Sequence, residues 1–466
     1  MIRSTRRWAL LGAFALAAAA PASGAAQGSE PDSYAGDLWS RPRLTGAWGG
    51  LRDRLAERGV TLDVDLLQIL QGVGTGGRST GAEYGGSAYY SLSVDTGKLG
   101  LWRGGSFNVS AMSGYGGDVN RMAGAIVPVN YNGALPEPDE RVTALMNLAY
   151  TQMITSWLGV LVGKIDNVDG DSNEFADNYK TKFLNEGLAT DFVNVMVPSS
   201  AWGGALMVLP WEGAIFYAGV LDPNGTPTDN GFDHAFDGGV LVSAQGRVTV
   251  KPFGLLGHHF ASVTWSDLAR PSLGQDPANL SRMLLALRFP RLRSPGPILS
   301  QIIDRFAPGL AAPPTPLKQE QTTWAVLYNF DQYLWSPERG SDRGVGVFFR
   351  FGVTDGNPNP FKYGYNAGVG GKGVVPGRPE DRFGIGWSRV DFSHDLLPTL
   401  RQPLGLGLSH EDAVEVYYSA AIAPWLSVTA DLQIVEPGLR KDIDSAGRLR
   451  SVGTAVVGGL RIFARF

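Results

Sequence analysis

The chain holds few residues able to break or make bonds. Its five histidines are His234, His258, His259, His394 and His410, and it has no cysteine. A structural zinc-thiolate site and a cysteine nucleophile are therefore excluded. Ser409-His410-Glu411-Asp412 brings together the residue types of a hydrolytic triad. Sequence neighbours rarely meet in triad geometry, however, and no G-x-S-x-G elbow accompanies them. No histidine pair has H-E-x-x-H spacing. Gly72-Val73-Gly74-Thr75-Gly76-Gly77 and Gly368-Val369-Gly370-Gly371-Lys372-Gly373 both fit G-x-G-x-x-G. No helix is predicted after the first, and the second lacks the Ser or Thr of a phosphate loop. We read the second as glycines easing a strand out of a wall. Asp166, Asp169, Asp171 and Asn173 suggest calcium, but Glu174 stands where an EF-hand loop needs glycine. The prediction is no enzyme, no cofactor and no resident metal.

What the chain offers instead is hydrogen-bonding chemistry at regular intervals. Ala464, Ile462, Leu460, Gly458 and Val456 alternate with Arg465, Phe463, Arg461, Gly459 and Val457. Val345, Val347, Phe349, Phe351 and Val353 alternate with Gly344, Gly346, Phe348, Arg350 and Gly352. Leu426, Val428, Ala430, Leu432 and Ile434 alternate with Ser427, Thr429, Asp431 and Gln433, and Trp324, Val326, Tyr328 and Phe330 with Ala325, Leu327, Asn329 and Asp331. Period two is the signature of strands with two unlike faces. The parity places Arg350, Glu415, Asp431, Gln433, Arg461, Asn329 and Asp331 together on the polar face.

These elements need an architecture that accommodates 466 residues, 62 of them glycine, with only 18% charged. Single cores stop growing at about 250–300 residues. Arg3, Arg6 and Arg7, an apolar run from Trp8 to Ala20 and small residues up to Ala26 read as a secretory signal peptide over 1–26. Without it, 37 basic residues face 44 acidic, a net charge of −7 that argues against a nucleic-acid partner. No later stretch is long and apolar enough for a helical span. Strands are predicted at 60–71, 87–97, 105–113, 141–152, 158–164, 201–209, 213–221, 238–250, 257–266, 323–335, 343–353, 361–371, 381–392, 412–422, 424–435 and 452–466. Short links such as Pro210-Trp211-Glu212 alternate with long ones at 72–86, 114–140, 165–200, 222–237, 267–322, 393–411 and 436–451. An even strand count, short turns at one end and long loops at the other define an outer-membrane barrel. The fold class is all-β: a sixteen-stranded antiparallel transmembrane β-barrel over 60–466, following a periplasmic segment at 27–59 with a short helix around Leu51 and Leu55. Such a barrel encloses an aqueous channel, so it has no core to outgrow.

Leu44-Thr45-Gly46-Ala47-Trp48-Gly49-Gly50-Leu51-Arg52 with Leu55 to Val60 resembles the opening of the carbohydrate-selective porin family (OprB-like). So do Gly163-Lys164-Ile165-Asp166, Gln332-Tyr333-Leu334-Trp335, Arg350 to Pro360, Gly368 to Gly373, Pro376-Gly377-Arg378, Pro424-Trp425-Leu426 and Asp431-Leu432-Gln433. The resemblance covers nearly the whole chain after the signal; the segment 268–320 is longer than the family pattern. It implies a channel in the outer membrane of a Gram-negative bacterium that favours neutral sugars, with arginine and aromatic side chains at a constriction. The inward residues above, with Lys164 and Asp166, are then the candidate pore and sugar contacts. The partners implied are the sugar, outer-membrane lipid and a possible homotrimer. The alternative is an adhesin-like barrel with a closed lumen. Loop 165–200, with Phe175, Tyr179, Phe183 and Phe192 among its charges, is expected to fold inward as the constriction. Loop 267–322, with an apolar run from Ile298 to Phe306, is expected to pack as a helix over the mouth.

Overall fold

The computed structural model describes residues 33–137, 142–168, 172–190, 195–275, 279, 316–402, 404–443 and 448–466. The expected signal peptide and most of loop 267–322, including Ile298 to Phe306, lie outside the described residues. Sixteen strands run β1 (Val60–Gly77), β2 (Gly81–Asp95), β3 (Gly105–Gly116), β4 (Thr143–Met153), β5 (Leu158–Asp166), β6 (Ser200–Val208), β7 (Ala214–Leu221) and β8 (Leu241–Val250). They continue as β9 (Gly257–Ser266), β10 (Thr323–Trp335), β11 (Gly344–Thr354), β12 (Phe361–Lys372), β13 (Arg382–Phe392), β14 (His410–Ala423), β15 (Leu426–Glu436) and β16 (Gly453–Arg465). Each pairs antiparallel with its sequence neighbours, and β1 pairs with β16 to close the barrel. Closure leaves no sheet edge unpaired, which spanning a bilayer requires. Two further short ribbons, Arg270–Pro271 with Gln319–Glu320 and Lys441–Ile443 with Leu449–Ser451, lie in the loops.

Alternation sorts the side chains as the sequence predicts. Leu460 and Ile462 are exposed on the outer face while Arg461 between them is 1% exposed. Val162, Leu206, Val263, Ile385 and Leu432 continue the exposed apolar surface around the barrel. An apolar patch of this extent is unstable in water and matches a lipid surround. Trp265, Trp324, Trp335 and Trp387 stand exposed on the same wall, as an interfacial girdle requires.

One loop expectation fails. Residues 72–77 and 81–86 are wall, joined by a turn at 78–80: β1 continues to Gly77 and β2 begins at Gly81. The glycine-rich stretch that reads as loop pairs with β2 as far as Val73 opposite Gly81. It also pairs with β16, through irregularities between Val73, Thr75 and Gly77. Glycine there permits close approach, since a Cβ on Gly76 would meet the Thr454 carbonyl at 1.7 Å.

Ahead of β1, helix α1 (Leu51–Glu57) forms as expected, and Gly59 past its end adopts φ 81°. Its buried face differs from the expected Leu51–Leu55 stripe. Leu51 is 46% exposed, and the buried residue is Arg52. Arg52 Nη2 donates to Leu62 O, Asp63 Oδ1 and Phe466 O, each at 2.8 Å. Three acceptors compensate an arginine for leaving water better than a leucine gains by entering a polar seam. Leu44 N also donates to Arg465 O at 2.8 Å. The segment thereby ties together the two strands that close the barrel.

Candidate functional site

The third long loop, over its described residues 172–190, enters the lumen and lies against the inner wall. Phe175, Ala176, Phe183 and Leu188 of this loop cluster with Tyr333, Phe348 and Tyr417 of the wall. Tyr179, Leu184 and Ala189 join Leu67, Ile69, Met112 and Met146 from the other side. Phe183 stacks edge-on to Tyr417 at 4.8 Å and Phe175 to Tyr333 at 4.8 Å. Burial accounts for Phe175, Tyr179 and Phe183 of the aromatics that the sequence shows in this loop; Phe192 lies outside the described residues.

A row of wall glycines makes room for them. A Cβ on Gly370 would sit 2.7 Å from Phe175 Cβ, and one on Gly386 2.7 Å from Leu188 Cδ2. Gly368 and Gly370 do not ease β12 out of the wall; they are lumen-side gaps within it. Gly370→Leu is expected to evict Phe175. The check is a higher and noisier single-channel current from a barrel that still runs folded on a gel.

The inward polar residues hold this loop by its backbone. Arg350, 2% exposed, donates to Leu188 O at 2.8 Å and Ala176 O at 2.5 Å. Arg461 donates to Tyr179 O and Lys182 O. Glu415 accepts from Leu184 N at 2.7 Å and Asn185 N at 2.8 Å. Asp331 accepts from Glu174 N at 3.0 Å and contacts His258 Nδ1 at 2.7 Å. Asn329 Oδ1 accepts from Asn173 Nδ2 at 2.7 Å. Gln433 donates to Val129 O at 2.8 Å and to Asp431 at 3.2 Å. Asp166, at the root of the loop, accepts from Tyr89 OH at 3.0 Å and Val168 N at 3.0 Å. The pattern is physically coherent: arginines meet loop carbonyls and carboxylates meet loop N–H groups, so each of these buried wall charges has a partner.

Lys164 is a correction. It pairs across the sheet with Leu148 and Trp202, and Val162 two residues earlier is exposed on the outer wall. It therefore has the wall-facing parity, and its ammonium donates to Asp229 O of loop 222–240. Of the calcium-like set, Asp169 and Asp171 lie outside the described residues, while Asp166 and Asn173 are engaged as above.

Residues 126–131 of the preceding long loop bridge the wall and the constriction loop. Glu411 on β14 accepts from Ile126 N at 2.9 Å and Val127 N at 2.8 Å. Tyr131 N donates to Leu184 O and Glu186 N to Pro128 O, both at 2.9 Å. Asn366 donates to Gly187 O at 2.8 Å. The sequence reading missed Glu411, Asn366 and Arg382. Arg382 extends the inward parity of Gly384 and Gly386, is half-buried, and its charge acts on Asp342 and Tyr333. Its signal was present in the alternation of Arg382, Gly384 and Gly386 with Phe383, Ile385 and Trp387. Toward the terminal end the inner wall carries Ser91, Ser93, Ser106, Asn108, Thr151, Asp63 and Asp65, all partly exposed. That lining is wet.

A closed sixteen-strand barrel with an apolar outer wall, a wet polar lumen and an inward constriction loop is an outer-membrane porin. The chain belongs to the carbohydrate-selective porin family, OprB, whose sequence profile matches residues 79–466. It is accordingly a sugar porin of the outer membrane of a Gram-negative bacterium, and the family and fold are those of a channel. It is similar to the high-pH structure of Pseudomonas putida OprB at 20% identity, covering 94% of this chain and 100% of that one, with a TM-score of 0.72. The low-pH structure of the same protein matches at 14% identity over 92% and 99%, with a TM-score of 0.53. No curated protein matches in sequence.

Proposed function

We propose that solutes are selected where the third loop crosses the lumen, and that Arg350, Glu415, Asp331 and Arg461 act by holding that loop. Asn329, Gln433, Asp431 and Asp166 belong to the same scaffold. The supporting observation is the orientation of their bonds: the charged ends of the wall residues point at loop backbone. A fixed loop presents a constant cross-section, and a passing sugar exchanges its hydration shell for hydrogen bonds of similar strength. Passage is passive and involves no catalysis. Asp412, the acid of the triad-like string, is engaged by Trp387 Nε1 at 3.0 Å and Arg389 Nη1 at 3.4 Å on the outer face. Residues 1–26 are an export signal, and of the segment 27–59 the described residues 33–59 sit at the periplasmic mouth, where the short turns lie. A second copy of the chain is a suitable partner for the outer wall at Ala218, Ala244, Gly246 and Ala261, where small residues leave a groove of about 480 Å³. Mass in detergent solution tests for the homotrimer.

Single-channel conductance in planar bilayers, with glucose or maltose added to one side, tests the whole reading. We expect steady conductance reduced by the sugar. A barrel that carries no current would instead be the closed, adhesin-like alternative.

A further inference from the structure

The third loop must offer something to the solute besides backbone that is already engaged. Of residues 183–189, only Glu186 is not buried. It opens a single helical turn, Glu186–Ala189, capped by Asn185, whose side chain accepts from Gly187 N at 3.0 Å. The backbone around it is held by Glu415, Asn366, Arg350 and Pro128, and the Asn185 side chain donates to Gln433. Yet its carboxyl has no hydrogen-bond or ion-pair partner among the described residues, unlike Glu174, Asp177 and Lys182 of the same loop. A carboxyl deep inside the barrel, immobilised at its Cα and still reached by solvent, faces the channel.

We propose that Glu186 is the solute-contacting group of the third loop, a specificity-determining carboxyl for hydroxyl-bearing neutral solutes. This rests on the sugar-porin reading and names the group that carries it out. Burial pushes the carboxyl up to about 8, with no opposing charge to hold it down. Apart from Arg382 at the start of β13, whose charge does not act on this carboxyl, the charged groups on the elements packed around it are otherwise engaged. Arg350 on β11 and Glu415 on β14 are bound to loop backbone, Arg461 on β16 likewise, and Asp431 on β15 accepts from Gln433. Lys180 and Lys182 of its own loop pair with Asp65 and Asp177. At neutral pH the side chain is therefore mostly a carboxylic acid, which both donates to and accepts from sugar hydroxyls. In that state it adds no charge to attract cations. Above its titration it becomes a carboxylate and the constriction gains one negative charge.

The test compares wild type, Glu186→Gln and Glu186→Ala in planar bilayers. Reversal potentials in a KCl gradient are measured between about pH 6 and about pH 9.5. Wild type is expected to become more cation-selective across that range, by more than Glu186→Gln does; other titrating groups are common to both. At neutral pH, Glu186→Gln should keep maltose block, and Glu186→Ala should weaken it severalfold. Parallel pH responses of wild type and Glu186→Gln, or undiminished block in Glu186→Ala, would overturn the assignment while the porin stands. A wild type that neither conducts nor is blocked would overturn both.

Discussion

A variant lacking residues 172–182 is expected to pass single-channel currents severalfold larger than the parent and to lose most of its block by sugar. The excised stretch contains Phe175, Tyr179 and Lys182, whose rings and carbonyls fill the lumen-side glycine gaps and engage Arg461. Without it the wall keeps its sixteen strands, since every wall bond runs between neighbouring strands and none passes through the loop. The channel then approaches the bore of an unobstructed sixteen-strand barrel. Unchanged conductance together with unchanged block would place the constriction elsewhere in the lumen.

Glu415→Ala is expected to have the second largest effect, and it acts through a different route. Its carboxylate accepts two loop N–H groups in a fully buried position. Removing it orphans both donors, at about 1–3 kcal/mol each, and leaves Arg461 nearby with one acidic neighbour fewer. The loop is therefore expected to detach transiently and not to refold elsewhere. Current traces should flicker between a parental level and a larger one, with an earlier heat-unfolding transition on gels. Glu415→Gln keeps an acceptor oxygen and should lie between the two. A Glu415→Ala channel as quiet as the parent would show that the loop is held by its aromatics alone.

The wall was legible because a strand in lipid exposes a strict chemical contrast at every second residue. Arg461 between Leu460 and Ile462 is such a case: parity alone put it inside. Parity does not say what lies against an inward side chain, which is why the residues read as solute contacts prove to be bonded to loop backbone. That information is held in pairs such as Glu415 with Leu184, 231 residues apart. Gly72 to Gly77 misled because glycine weakens both the strand signal and the contrast between faces. Lys164 misled because its place came from motif likeness, whereas its neighbours Val160 and Val162 already put it on the outer parity. Arg52 could not be anticipated from a helical pattern that rewards leucines, since its acceptors belong to β1 and to Phe466.

The seat of the constriction loop has a consequence for timing. Its anchors Asp331, Arg350, Glu415 and Arg461 all follow the loop in the chain, the last by 282 residues from Tyr179. Contacts so remote in sequence form late, because the intervening chain must first be ordered. Hairpins can zip strand by strand, but the loop has no complete berth until β16 has joined β1. The channel is therefore expected to mature from wide to narrow, passing through a closed barrel whose selectivity has not yet arrived.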